Sequence, residues 1–431
     1  MRVVPTPSSC SHDGRSPSSN SAAAEWHGYW YLPVIAALGY ATSVIHVYAI
    51  GPFIEPLQQA FGWSRAQISF GLTISRFVSA VFCIPVGMLV DRIGPRRIGL
   101  VGVVLMTGAF ALLGTTTGGK ANWVLLWSVI AVATLGVQAT VWTSAVNSRF
   151  EKSRGLALAI TLSGASLSAA LFPVLATWLI AAYGWRGGFT GLGAIWALLV
   201  FPFLLFFFRG AQDQGRKAGA ADPAVARVLT GLSISEGLRS PALYKLLMAA
   251  GLFSFTIIGV LVHFVPILTG AGVSRLEAAG IASLIGLFSI MGRLGTGFLL
   301  DRFRAQNIGA LAFTLPVIGL ALLLLDGSNP AYQAVAAATI GLTLGAEVDV
   351  IAYLAAKYFG LKNFGALYGA MVMALSLGTS FGPLSAGAVF DSYGHYTPFL
   401  MLAMALMATS ALALLSLGPS PSIARAQVQA A

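Results

Sequence analysis

The sequence predicts an all-α membrane protein of twelve transmembrane helices, arranged as two parallel six-helix repeats. Three observations lead there. Of 431 residues, 57% are hydrophobic and 9% charged, with a mean hydropathy of +0.82, far from the balance of a soluble domain. The apolar residues gather into runs of about 20, the length that carries a helix across about 30 Å of hydrocarbon with every backbone amide satisfied internally. The chain also superposes on itself when Asp91 is laid on Asp301.

The elements follow in order. Residues 1–27 are rich in Ser and Pro, lack the apolar core of a signal peptide, and read as a disordered tail. Apolar runs then fall near 30–52, 66–90, 97–116, 122–146, 155–180 and 188–208, so 28–208 forms an N-terminal six-helix bundle. The polar, Gly/Ala-rich stretch 209–240 is a linker. Runs near 243–267, 277–300, 306–325, 332–355, 362–387 and 397–418 place the C-terminal bundle at 241–418, and 419–431 is a second tail. With cysteines only at Cys10 in the tail and Cys83 inside the second run, no structural disulfide is expected.

Most lysines and arginines lie on the face that carries Asp91. The opposite face holds Arg65, Lys120, Arg186 and Arg275. Cations near the ends of membrane segments are retained in the cytoplasm, so both termini are expected there, in a cell inner (plasma) membrane. This topology accounts for most of the net charge of +11. It calls for no nucleic-acid partner, and the anionic headgroups of the bilayer complement it.

Laid on itself without a gap, the chain puts Gly62, Ser64 and Arg65 on Gly272, Ser274 and Arg275, then Ser79 on Ser289. Gly87, Leu89, Asp91 and Arg92 fall on Gly297, Leu299, Asp301 and Arg302, and further on Gly155 meets Gly365, Pro173 meets Pro383 and Phe189 meets Phe399. Six segments separate equivalent points. An even number means that the copies share one membrane orientation, related by an axis along the membrane normal.

The loop "GMLVDRIGPRR" gathers Gly87, Asp91, Arg92, Gly94, Arg96 and Arg97 between two apolar runs. Gly87 lets adjacent helices approach, Asp91 ends one segment where a carboxylate faces a neighbouring helix N-terminus, and the arginines hold the turn at the surface. Retention of cations explains the arginines but not the repeated Gly-x-x-x-Asp-Arg spacing, which favours a latch that holds the two bundles together in one state and breaks in the other. Two six-helix halves, a long linker and this loop resemble the major facilitator superfamily, whose characteristic loop reads Gly-x-x-x-Asp-Arg-x-Gly-x-Arg-Arg. In the second half the pattern decays to "GTGFLLDRFRAQN", keeping Gly297, Asp301 and Arg302.

Charges inside hydrocarbon cost at least about 2.5 kcal/mol each and are functional candidates. Those here are His46, Arg76, His263, Arg293, Glu347 and Asp349. Arg293 precedes Asp301, and Asp349 precedes Lys357, by the same eight residues, so by helical rise both lie about 12 Å inside the arginine-rich face. Two readings stand. Arg293 pairs with Asp349 or Glu347 as an internal clamp, or it holds a substrate carboxylate in a planar fork. The runs "LFSIMGRLGTGFLLDR", "GYATSVIHVY" and "GWSRAQIS" resemble the monocarboxylate-transporter and oxalate/formate-antiporter branch. That resemblance implies that Arg293 engages a carboxylate. Where monocarboxylate transporters carry an aspartate four residues before that arginine and a lysine in the first segment, this chain has Ser289 and His46.

His46 has two readings: an imidazole that gains a proton together with an anionic substrate, or one hydrogen-bonded to a neighbouring helix. Its repeat counterpart is Thr256, on a segment that lines the central cavity in the fold the resemblance implies. Arg76 has no acid at i±4, and two readings stand: it faces the cavity and helps hold an anion, or it reaches an acid from another segment. Thr134, Gln138 and Trp142 form an i, i+4, i+8 stripe, with Thr134 and Gln138 as hydrogen-bond partners. There is no HExxH, GxSxG or phosphate-binding glycine loop, so no enzyme, cofactor or metal is expected. The expectation is a monomeric secondary transporter that moves a small organic anion, a monocarboxylate, by alternating access, with protons or by anion exchange. The competing expectation is a proton-coupled exporter of amphipathic molecules, indifferent to Arg293→Ala.

Overall fold

The computed structural model describes residues 22–150, 153–210, 231–300, 302–360 and 363–418. Apart from an isolated bridge between Gly231 and Gly360, the described residues form helices, turns and bends without a strand. Nine helices among them are long and apolar enough to cross a membrane. The remaining expected segments are present in other forms.

Span 1 is broken. It runs as Tyr31–Ser43, Ile45–Tyr48, a 3-10 turn at Gly51–Phe53 and Ile54–Phe61, ending beyond the expected limit. Just before the break at Val44, the hydroxyls of Thr42 and Ser43 donate back to the carbonyls of Leu38 and Tyr40, a competition with the helical ladder that bends helices. Span 2, Arg65–Ile93, begins with a capping box of Ser64 and Gln67. Span 3 is Pro95–Leu112 and span 4 is Lys120–Leu135, continued after a break at Gln138 (φ −59°, ψ 158°) by Ala139–Asn147. Span 5 starts as Arg154–Leu162 and resumes at Gly164, where helix continues to Phe207. That long stretch is two spans, because Gly184 has φ 70° and ψ 173° and the chain folds back there, bringing Gly188 against Ile180 and Gly191 against Leu179. A positive φ is a conformation that glycine adopts without cost.

The second half is plainer. Spans 7 to 12 are Pro241–Gly270, Arg275–Leu300, Ala305–Leu325, Pro330–Phe359, Phe364–Tyr393 and Thr397–Leu415, each unbroken. Two expected boundaries are corrected. A helix at Ala22–Tyr29 occupies the end of the predicted tail, held by Trp26 against Phe150 (5.0 Å between rings) and by Glu25 accepting from the Ser153 N–H. The end of the predicted linker forms a helix at Ile234–Arg239 with its own Ser233/Glu236 capping box. Leu232 beside it bonds to Phe359 O on span 10.

The halves meet through spans 1 and 7, 2 and 11, and 5 and 8. Among the described residues, every hydrogen bond between the halves lies from the mid-membrane region towards the opposite face. These are Ser166 to Ser289, Thr73 to Ser380, Ser69 to His263, Arg65 and Ala66 to the 391–396 corner, and Glu55 to Thr269 and Arg275. The protein is therefore closed on the opposite face.

Candidate functional site: a midplane charge cluster

Spans 8 and 10 bring Arg293, Glu347 and Asp349 together. Gly345 makes this approach possible, because a Cβ there would lie 2.0 Å from Ser289 O and 2.7 Å from Arg293 N; the small residue lets one helix rest on the backbone of the other. Arg293 Nη1 reaches Asp349 Oδ1 at 3.5 Å. This is one long contact and not a bidentate fork. Arg293 is 9% exposed and Asp349 33%, while Arg293 Nε is buried without an acceptor. Glu347 is buried within the field of Arg293. It makes no hydrogen bond with any described residue.

The first half supplies the opposite charge. Arg76, on span 2, is partly buried, and no described residue forms an ion pair or hydrogen bond with it; its Nε is buried and unmatched. His46 sits in the short piece just after the break in span 1, fully buried, with neither ring nitrogen partnered. Its ring meets Trp127 edge-on at 6.1 Å, and the charge of Arg76 acts on it. Thr256 on span 7 is fully buried with an unmatched hydroxyl. Gln138, at the break in span 4, donates to Ser79 O at 3.5 Å, one turn along span 2 from Arg76. Buried polar atoms without partners are rare in folded cores. Here Arg76, Arg293, His46 and Thr256 each carry at least one.

Tyr40 and Tyr48 are buried or nearly so within the fields of Arg76, Arg293 and Glu347. Tyr368 on span 11 lies close to Glu347, Asp349 and Arg293. Sequence reasoning missed all three tyrosines. The available signal was the spacing of Tyr40 and Tyr48, two turns apart on the segment that carries His46.

Thr134 is a correction. It is 3% exposed, and its hydroxyl donates to Ile130 O at 2.8 Å and lies 3.6 Å from Met106 Sδ, packing spans 3 and 4 together. Trp142 likewise serves packing, donating to Val137 O and filling the space beside Gly39 and Gly99. Thr42 accepts from Trp196 of span 6 at 2.9 Å. His263 is fully engaged, with Nδ1 on Tyr396 Oη (2.7 Å) and Nε2 near Ser69 Oγ (3.1 Å) and Pro383 O (3.0 Å).

The loop cluster sits on the open face. Gly87 and Asp91 fall in the last turns of span 2, and Gly94, at φ 94°, makes the turn into span 3. Arg92 and Arg97 are exposed, while Arg96 donates to Leu205 O (2.6 Å) within its own half. Arg302 lies over Phe298 of its own segment at 4.0 Å. Asp301 lies outside the described residues.

With this geometry in place, comparisons with known proteins add a frame. The chain matches the Major Facilitator Superfamily over residues 36–383. It is 25% identical to monocarboxylate transporter 13 of Bos taurus over 387 residues, covering 88% of this chain and 87% of that protein. It is also 25% identical to the riboflavin transporter MCH5 of Saccharomyces cerevisiae over 393 residues, covering 86% of this chain and 74% of the relative. Among solved structures, a D-xylose-proton symporter shares the fold with a TM-score of 0.71 at 16% identity, covering 92% of this chain and 99% of that one.

Proposed function

This chain belongs to the major facilitator superfamily, is a multi-pass membrane transporter, and on that premise we propose that it carries a small monocarboxylate together with one proton by alternating access. The observation that carries the reading is Arg76, a guanidinium inside the protein with no acid among the described residues, facing a second half in which one arginine has two acids. Arg76 takes the substrate carboxylate. Arg293 holds its other side, and His46, Thr256 and Gln138 donate or accept hydrogen bonds. Tyr40 and Tyr48 close over the solute.

Charge balance supports the proton. With both acids ionised, Arg76 and Arg293 cancel Glu347 and Asp349, so the empty cluster is neutral. A bound monoanion leaves one negative charge in a medium where an unpaired ion is expensive. A proton on Glu347, which makes no hydrogen bond with any described residue, restores neutrality. Both the empty and the doubly loaded forms can then reorient, and the anion alone cannot. The relationship to monocarboxylate transporter 13 supports the same substrate class.

The loop residues Gly87, Asp91, Arg92, Gly94, Arg96, Arg97, Asp301 and Arg302 act in this reading as a latch that engages when the arginine-rich face closes. That face is assigned to the cytoplasm of an inner membrane. A second reading, proton-coupled export of a larger amphipathic solute, is favoured by the three tyrosines around an acid and by the likeness to a riboflavin transporter.

Uptake of labelled monocarboxylates into proteoliposomes, with and without an inward proton gradient, separates them. Gradient-driven uptake that Arg76→Gln and Arg293→Gln both abolish is the expected result. Export of an amphipathic dye that survives both substitutions, with no carboxylate uptake by folded protein, would replace the first reading with the second.

A further inference from the structure

On the opposite face the loops of the first half hold a single acid, Glu55, which accepts from Thr269 and Arg275 of the second half. The cations there are engaged, with one exception. Arg65 is 7% exposed and donates to Gln58 and Tyr396, and Arg186 donates to Thr116 O and lies 4.1 Å over Trp185. Lys120, at the start of span 4, is exposed, and no described residue forms a hydrogen bond or ion pair with it. Retention of cations on the arginine-rich face disfavours a lysine at this position, and its complement is an anion from outside the chain.

Lys120 stands at the mouth of a groove. Spans 2, 4 and 11 enclose about 370 Å³ there, walled by Trp63, Ala66, Phe70, Trp123, Val124 and Leu384. Trp63 and Trp123 are buried with their rings 5.1 Å apart, and Trp63 Nε1 donates to Gly118 O (3.1 Å), which ties the corner between spans 1 and 2 to the loop that carries Lys120. Val124, one turn further into the membrane than Lys120, is 39% exposed and Phe70 41%. In a membrane-spanning segment such apolar side chains meet hydrocarbon. A free ammonium at the surface, tryptophans at the interface and an apolar floor beneath them match the polarity profile of a phospholipid, whose phosphate lies at the surface and whose acyl chain runs inward.

The wall from the second half depends on closure. Leu384 shares a face of span 11 with Gly387 and Asp391. A Cβ at Gly387 would lie 2.6 Å from Ala66 N, so span 11 rests on the start of span 2. Asp391 accepts the N–H groups of Arg65 (2.8 Å) and Ala66 (2.9 Å). The groove therefore has walls from both halves only while these contacts hold, and a ligand that binds one state better shifts the population towards it.

We propose that this groove binds an anionic phospholipid from the leaflet at the opposite face, with its phosphate on Lys120 and an acyl chain along Phe70, Val124 and Leu384, and that the bound lipid favours the state closed on that face. The inference rests on no particular transported solute.

Photocrosslinking tests it. The protein is reconstituted in phosphatidylcholine vesicles that contain, at equal mole fraction, either phosphatidylglycerol or phosphatidylcholine with a diazirine in the acyl chain. After irradiation, adducts are mapped by mass spectrometry. Adducts at Phe70, Val124 and Leu384 are expected, with a yield about fivefold higher from phosphatidylglycerol, the scale of one cation at an anionic lipid surface. Lys120→Gln, a change at an exposed side chain, makes the two yields equal at these residues, and Lys120→Arg keeps the preference. Asp391→Asn lowers the yield from phosphatidylglycerol in the groove. Equal yields in the wild type, or a preference that Lys120→Gln leaves intact, would overturn the lipid site. A yield that Asp391→Asn leaves unchanged would overturn its link to closure. No solute is present, so the outcome is independent of whether the protein carries a carboxylate.

Discussion

The two repeats share one fold and one orientation yet carry opposite burdens. In the first, spans 1, 4 and 5 are each broken near mid-membrane, and the cluster holds Arg76 and His46 with no acid among the described residues. In the second, the spans are unbroken and Arg293 is met by Asp349 and Glu347. The same inequality recurs at the opposite face, where Arg65 is buried in a network and Arg275 holds one exposed pair. Duplication supplied two equal frames. Divergence in a few charged positions made one half the attracting side and the other the compensating side.

That contrast breaks most visibly at Arg76. Arg76→Gln removes the uncompensated cation and is expected to weaken carboxylate binding about 10- to 100-fold, since a hydrogen bond to a charged group contributes about 1.5–3 kcal/mol. Arg293→Gln also leaves Asp349 and Glu347 without their counter-charge. Substrate titration of uptake measures both, and equal affinity in Arg76→Gln and wild type would remove Arg76 from the site. Next in size is Glu347→Gln, which fixes the neutral form. Accumulation driven by a proton gradient should vanish while exchange of labelled for unlabelled carboxylate persists; a variant that still accumulates substrate would move the proton elsewhere. Asp391→Asn sharpens the comparison at the opposite face. It weakens two charge-assisted bonds to the start of span 2 and should raise, about tenfold, the rate at which a membrane-impermeant maleimide applied to that face labels Ser380→Cys.

Much of this was legible in the chain. Hydropathy and the self-superposition placed twelve segments, and the equal distances of Arg293 and Asp349 from their segment ends set them at one depth before the structure joined them. Other features were hidden for physical reasons. The break in span 1 follows from hydroxyl-to-carbonyl bonds of Thr42 and Ser43 that compete with the backbone. Thr134 was placed on a stripe by assuming a straight helix, but span 4 turns at Gln138, so residues before and after that point face different neighbours. The bond from Arg65 to Asp391 joins residues 326 positions apart, a pairing that no local pattern encodes.

The central claim is that the cluster crosses the membrane only as a neutral unit. The most direct measurement is carboxylate uptake into proteoliposomes at fixed pH gradient while a potassium diffusion potential is imposed in either direction. The account predicts one proton per carboxylate and an uptake rate that the potential leaves unchanged. Uptake that rises or falls with the sign of the potential would show that net charge moves with the substrate, and would contradict it.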